Sequence, residues 1–159
     1  MKTTINKEKI IMLTKKGMKQ LKKDISQLES DKQKTLKEIK ELDKTLVRDE
    51  RLSRIEKISD LEIIESELEE KRTILSNSKL LPNKKNHLRV ALGSVVELID
   101  RRGKMFRFKI VESIEADPSD GKISYVSPIG QSLIGRTVAD IIEWGSKDRV
   151  NRLHLIRIN

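Results

Sequence analysis

Residues 14–81 read TKKGMKQLKKDISQLESDKQKTLKEIKELDKTLVRDERLSRIEKISDLEIIESELEEKRTILSNSKLL. In the first half the seam runs Met18, Leu21, Ile25, Leu28, then Lys32 and Thr35, then Ile39, Leu42 and Leu46. These positions alternate in steps of three and four, as the a and d sites of a heptad require. The next d site is Asp49, so the seam ends on a carboxylate. The second half has its own seam, Ile58, Leu61, Leu68 and Leu75, with Glu65 and Arg72 between them and Ile55, Ile63 and Ile64 widening it. It does not continue the phase of the first. A single rod keeps its phase, whereas two helices folded back on each other need not. Ser53 with Glu56 three residues on reads as a capping box, and Ser59 with Glu62 offers a second start. The turn is therefore placed between Arg48 and Ser53, with helices over about 14–48 and 53–80, each about 45 Å long at 1.5 Å per residue. The alternative is one uninterrupted helix that dimerises in parallel. A tip without Gly, Asn or Pro favours the rod, and the phase break counts against it.

Working outward, residues 1–85 carry 22 Lys/Arg and 16 Asp/Glu, so +6 of the net +9 lies there. The first arm is the basic one, with Lys15, Lys16, Lys19, Lys22, Lys23, Lys32, Lys34, Lys37, Lys40 and Lys44. The second has an acidic centre of Glu62, Glu65, Glu67, Glu69 and Glu70. Two arms of opposite sign attract across the seam. The same lysines also suit a surface that approaches nucleic acid or a machine that carries it. Lys32 and Arg72, at seam positions, read as snorkelling residues that set register. High charge and only 3% aromatic residues argue against a single compact core and for an extended helical segment. There is no Cys, hence no disulfide framework and no thiolate metal site. Neither a secretory h-region nor a membrane-length apolar run is present, so a cytoplasmic protein is the expectation. The first twelve residues read as a loosely held lead-in.

Pro82 and Asn83 stop the hairpin, and residues 82–88 read as a linker. From Arg89 the pattern changes to short runs of β type. Val90–Ile99 is rich in Val, Leu and Ile, and Asp100–Gly103 is a turn. Lys104–Ser113 alternates, with Phe106, Phe108 and Ile110 on one face. Asp117–Gly121 is a second turn. Ile123–Ser127, Thr137–Trp144 and Asn151–Ile158 read as strands, and Pro128–Ile134 as a short helix or turn with Pro at its start. Residues 1–81 are thus expected to be a coiled-coil hairpin and 89–159 a small α+β domain of antiparallel strands. His87 and His154 have no partner at ligand spacing, and no nucleophile–base motif or phosphate loop occurs.

Several segments resemble the bacterial Gre transcript-cleavage factors, GreA and GreB. Met12-Leu-Thr-Lys-Lys-Gly17 resembles the Leu-Thr-x-x-Gly opening of their first helix, and Leu75-Ser-Asn77 the end of their second. Gly121-Lys-Ile-Ser124, Ser127-Pro-Ile129 and Leu133-Ile-Gly135 resemble the most recognisable part of their C-terminal domain. The resemblance implies an FKBP-like C-terminal domain without isomerase activity, docked on RNA polymerase at the rim of the secondary channel, with Ser127, Pro128 and Ile129 as candidate polymerase contacts. It implies a coiled coil that threads the channel as a monomer. Acidic residues at the tip would help hold the second catalytic Mg²⁺, so that the polymerase itself hydrolyses backtracked RNA. The factor would then have no catalytic residues of its own.

The tip departs from the family pattern. Where active Gre factors carry a Gly-Asp-x-Ser-Glu-Asn-like segment, this chain has Val47-Arg-Asp-Glu-Arg-Leu-Ser-Arg54. Asp49 and Glu50 are the available carboxylates, flanked by Arg48, Arg51 and Arg54. Adjacent helical side chains point apart, so joint coordination of one ion needs an irregular tip. Nearby cations keep the acids ionised but compete for them. Asp49 and Glu50 as Mg²⁺ ligands, and the same two as solvent-exposed pairs of the arginines, are both open readings. Val126 is a second departure, standing where the family has Asp or Asn. Two functions follow: a Gre-like elongation factor that stimulates cleavage or occupies the channel as an inhibitor, or a basic coiled-coil dimer or adaptor that binds DNA or RNA directly. A stand-alone isomerase would need an aromatic-lined pocket, and Phe106, Phe108, Tyr125 and Trp144 are read as core.

Overall fold

The computed structural model describes residues 10–42, 50–82 and 88–159, Glu50 by its backbone alone. Along the chain come β1 (Ile11–Leu13), α1 (Lys15–Leu42), α2 (Glu50–Ser76), β2 (Ser78–Leu80), β3 (Val95–Ile99), β4 (Met105–Val111), β5 (Lys122–Ser124), α3 (Pro128–Leu133), β6 (Ile141–Ser146) and β7 (Arg149–Ile158). They form two compact units.

In the helical unit the seam of α1 is the one that heptad spacing selects. Leu21, Ile25, Thr35 and Ile39 are buried, and Met18, Leu28, Lys32 and Leu42 are half-buried. On α2 the seam runs Ile58, Leu61, Ile64, Leu68, Lys71 and Leu75, with Leu68 the most deeply covered. Glu65 and Arg72, expected inside the seam, lie exposed at its flanks. Ile55 and Ile63, expected to widen it, are 62% and 57% exposed, and only Ile64 joins it. The reason is the helical period: Ile64 lies between Leu61 and Leu68, whereas Ile55 and Ile63 sit on the opposite side. Ion pairs that join the arms are Lys32–Glu65 (2.7 Å), Glu38–Lys57 (2.9 Å), Asp24–Lys71 (3.8 Å) and Glu29–Arg72 (2.7 Å). From Asp24–Lys71 through Lys32–Glu65 to Glu38–Lys57 the partners advance along α1 and retreat along α2, so the two helices are antiparallel. The uninterrupted rod is excluded.

Two boundaries differ from expectation. α2 is already helical at Glu50, which places Ser53 and Ser59 inside it; neither is an N-cap, and no turn lies at 50–53. The second helix ends at Ser76 rather than near 80, where Asn77 N donates to Thr73 O (3.2 Å) and Ser78 Oγ to Ile74 O (2.5 Å). The chain then turns extended, and β2 pairs with β1, with Ile11 N donating to Asn77 O (3.0 Å) and Leu81 N to Leu13 O (2.8 Å). Residues 11–13 are therefore a strand and not a loose lead-in.

The second unit comprises Met12–Lys15 with Lys79–Asn159, so the chain does not divide at a linker over 82–88 alone. Leu13 is 1% exposed, and the Leu81 side chain lies beside Gly93. The sheet order is β5-β4-β3-β7-β6, and all neighbours are antiparallel except β4 and β5. That parallel pair corrects the expectation of antiparallel strands throughout. Two single 3₁₀ turns, Ser113–Glu115 and Pro118–Asp120, carry the chain back so that β5 enters in the direction of β4.

Val96, Leu98, Ile110, Leu133, Ile142 and Leu155 are fully buried in the core, and Phe106, Phe108, Tyr125, Ile129 and Trp144 pack against it. Burying each such aliphatic side chain contributes about 1.5–3 kcal/mol. Two strands, β3 and β6, start later than composition suggests. Ser94 N donates to Ala91 O (3.0 Å) and Ala91 N to Ser94 Oγ (3.1 Å), which bends residues 91–94 away from β3. Asp140 Oδ2 accepts from Thr137 N (2.8 Å) and Thr137 Oγ1 (3.1 Å), which delays β6 to Ile141.

Candidate functional site

Lys15, Lys16, Lys19, Lys22, Lys23, Lys34, Lys37 and Lys40 are all exposed on α1. At about 100° per residue they occupy a single arc of about 120° on the side away from the seam. Of the described acids of α1 only Glu41 shares that arc, while Asp24, Glu29 and Glu38 are engaged across the hairpin. Of the pairs named above, Lys32–Glu65 has the expected sense, a cation of the first arm with an acid of the second. In the other three pairs the cation is on α2. The eight lysines of the arc are thus left facing solvent. The Glu38–Lys57 pair is the one with a resolved electrostatic signature: the hydrogen bond from Lys57 holds the Glu38 carboxyl below its ordinary value, and the same bond raises Lys57.

Arg48 and Asp49, named above as tip residues, lie outside the described residues. Glu50 opens α2, and Arg51 follows it, exposed. Among the described residues no group of His, Cys, Asp and Glu is arranged to hold a metal ion. The seam does not reach Leu52, which is 68% exposed. Together with Ile55 and Ile63 it makes an apolar strip on the outer side of α2, close to the tip. The sequence carries this signal in the spacing of three and eight residues, and at Ile55 and Ile63 it reads equally well as seam.

Ser127, Pro128 and Ile129 come together at the start of α3. Ser127 is its N-cap: Oγ accepts from Gly130 N (3.1 Å) and donates to Ser124 O (2.7 Å). Pro128 occupies the first turn, where its missing N–H costs nothing. Ile129 packs on the core. Of the three only Pro128 is exposed, next to Val126. Gly130 is required by a close approach, because a Cβ there would stand 2.0 Å from Ser124 O. The Ser-Pro-Ile-Gly run is therefore a device that seats α3 against the end of β5.

The Leu-Thr-x-x-Gly opening also has a physical role that sequence reading missed. Thr14 N donates to Glu115 Oε2 (2.9 Å), and Thr14 Oγ1 donates to Glu115 Oε1 (2.5 Å), across 101 residues of sequence. Nothing local marks Glu115, which lies in a 3₁₀ turn after β4. No described helix is long and apolar enough to cross a membrane.

Comparison with known proteins places these features in context. Residues 85–159 match the family model for the C-terminal domain of the transcription elongation factors GreA/GreB. The GreA of Mesomycoplasma hyopneumoniae (strain 232) is 32% identical over 160 residues, 99% of this chain and 96% of that protein. The GreA of Clostridium acetobutylicum is 32% identical over 161 residues, 97% and 99% of the two chains. The crystal structure of Thermus aquaticus Gfh1 is 26% identical, with a TM-score of 0.44 over 96% of this chain and 99% of that one.

Proposed function

Because the chain belongs to the GreA/GreB family of transcription elongation factors, we propose that it binds RNA polymerase, inserts its hairpin into the secondary channel and acts there on backtracked complexes. The observation that carries this reading is the hairpin itself. Two antiparallel helices of 28 and 27 residues, stapled by ion pairs, project a probe about 40 Å long. A helix that pairs with the next helix of its own chain has no seam left for a parallel partner. This favours a monomer over the basic dimer or adaptor. The exposed Leu52 and Ile55 fit a tip that becomes surrounded by protein, and the lysine arc of α1 fits a channel that leads to nucleic acid. The exposed apolar edge of the second unit at Val126 and Pro128 is the proposed docking point, with Ser127 and Ile129 holding it in place.

In this reading the factor has no catalytic residues of its own and works, in the cytoplasm, on the hydrolytic activity of the polymerase. Asp49 and Glu50 are carboxylates, the oxygen donors that a hard cation takes, so their chemistry fits Mg²⁺ shared with the polymerase. When bound, that ion supplies Lewis-acid stabilisation of the scissile phosphodiester. Asp49 and Glu50 would complete its ligand set, and Arg48, Arg51 and Arg54 stand close by in sequence. Inhibitory occupation of the channel is the second outcome that this tip permits, since the same arginines compete with the metal.

The experiment is transcript release from a purified backtracked polymerase complex. Acceleration by the parent chain, lost in Asp49→Ala and Glu50→Ala, supports cleavage. Slower release than without factor, insensitive to both substitutions, supports occupation. Failure to bind polymerase at all sinks the proposal.

A further inference from the structure

The β3–β4 turn and the start of β7 border an open surface pocket of about 350 Å³ lined by Asp100, Arg101, Arg102, Val150, Asn151 and Arg152. The register explains why three arginines converge there. Ile99, the last residue of β3, pairs with His154, so the turn that follows β3 and the start of β7 lie at the same end of the sheet, and Arg101, Arg102 and Arg152 line one pocket there. The single acid of the lining is committed to the loop. Asp100 Oδ1 accepts from Arg102 N (2.8 Å) and Lys104 N (2.9 Å), and Gly103 closes the turn at φ 80°. Arg152 Nε donates to Glu143 Oε1 (2.5 Å), which fixes the plane of that guanidinium and leaves its other edge available. Among the described residues neither Arg101 nor Arg102 forms an ion pair.

Three guanidinium groups that line one pocket repel one another, and an anion held among them turns that repulsion into attraction. The planar fork of a guanidinium matches two oxygens of a phosphoryl group, which a lysine cannot do. A volume of about 350 Å³ is at the lower end of small-ligand sites, and a lining of guanidinium and amide groups excludes an apolar occupant. We propose that this pocket binds the phosphoryl group of a phosphate ester, with Arg101, Arg102 and Arg152 as donors. The site shares no residue with the α3 edge or with residues 48–54, and it stands whether or not the polymerase reading does. A free nucleoside polyphosphate and an RNA backbone offer the same chemistry.

Calorimetric titration of the full chain with tripolyphosphate and, separately, with a short single-stranded RNA distinguishes the sources. The variants are Arg101→Gln/Arg102→Gln and, as a control for the α1 lysines, Lys34→Gln/Lys37→Gln/Lys40→Gln. Saturable tripolyphosphate binding, weakened about tenfold or more by the arginine pair and unchanged in the lysine variant, assigns a free phosphate ester. RNA binding that needs the arginine pair, with no tripolyphosphate binding, assigns a phosphodiester backbone. Both arms are read at low and at physiological salt, since each lost phosphate contact flattens the salt dependence. Should the Gln pair not fold, Arg101→Lys/Arg102→Lys keeps the charge and removes the fork, with a loss of about threefold or more expected. No saturable binding of either probe, or binding that the arginine variants leave unchanged, overturns the proposal.

Discussion

The bond between Thr14 and Glu115 can be tested as a double-mutant cycle. Glu115 receives two hydrogen bonds, from Thr14 N at 2.9 Å and from Thr14 Oγ1 at 2.5 Å, both in a partly buried setting. Hydrogen bonds to a charged group contribute about 1.5–3 kcal/mol each, and the half-exposed carboxylate points to the lower end. Glu115→Ala should therefore cost about 3 kcal/mol, and Thr14→Ala, which keeps the backbone bond, about 1.5 kcal/mol. In the Glu115→Ala background Thr14→Ala has no bond left to break, so the cycle should show a coupling of about 1 kcal/mol or more. Trp144, the only Trp of the chain, lies on β6 in the same unit and reports its unfolding in urea. Thermal midpoints should fall by about 4–8 °C per kcal/mol for a domain of this size. Additive single costs, or a Glu115→Ala loss below about 0.5 kcal/mol, would refute the claim that this contact ties Met12–Lys15 to the second unit.

Gly130→Ala places a methyl 2.0 Å from Ser124 O and 2.9 Å from Tyr125 Cα, both backbone atoms that cannot swing aside. It should cost about 3 kcal/mol or more in the same denaturation, and a loss under about 1 kcal/mol would mean that α3 shifts without strain. Glu38, Asp117 and Asp140 are held below their ordinary values, chiefly by the bonds from Lys57, Ser119 and Thr137 N respectively. Their stabilisation is present above 4.5 for the Glu and 3.8 for the Asp groups and is lost as pH falls through the lowered folded values. Lys57 is raised, so its contribution is complete below 10.5 and is lost as pH rises through the higher folded value. Helical circular dichroism against pH should thus decline at both extremes, and Glu38→Gln should reduce both declines; an unchanged profile would remove the pair from the hairpin's stability. Leu52→Gln/Ile55→Gln touches no packed surface, so stability should change by less than about 0.5 kcal/mol while the effect on backtracked polymerase weakens. Full activity in that variant would mean that the strip contacts nothing in the channel.

Much of the helical unit was legible because its seam is a one-dimensional pattern. Met18 through Leu42 repeat every three or four residues, and burial follows the same repeat. The hairpin could be inferred from the phase break, but the start of its second helix could not. Ser53 and Glu56 form a good capping box on paper, yet helix continues through them because Glu50, Arg51 and Leu52 cost little to keep helical. The sides of α2 were misjudged at Ile55 and Ile63, since an apolar residue reads as seam until a partner helix shows which face it covers.

Composition and periodicity, which are local, determined the two-unit plan, the basic outer face of α1, the turns of the second half and the short helix begun by Ser127 and Pro128. Contacts between residues distant in sequence were decided only by the tertiary structure. These are the bond of Thr14 to Glu115, the pairing of β1 with β2, the parallel entry of β5 and the convergence of Arg101 with Arg152. The physical reason is that a side chain's partner depends on where the backbone has been brought, and no single residue type records that. Glu115 looks like any exposed acid until the fold sets Thr14 against it.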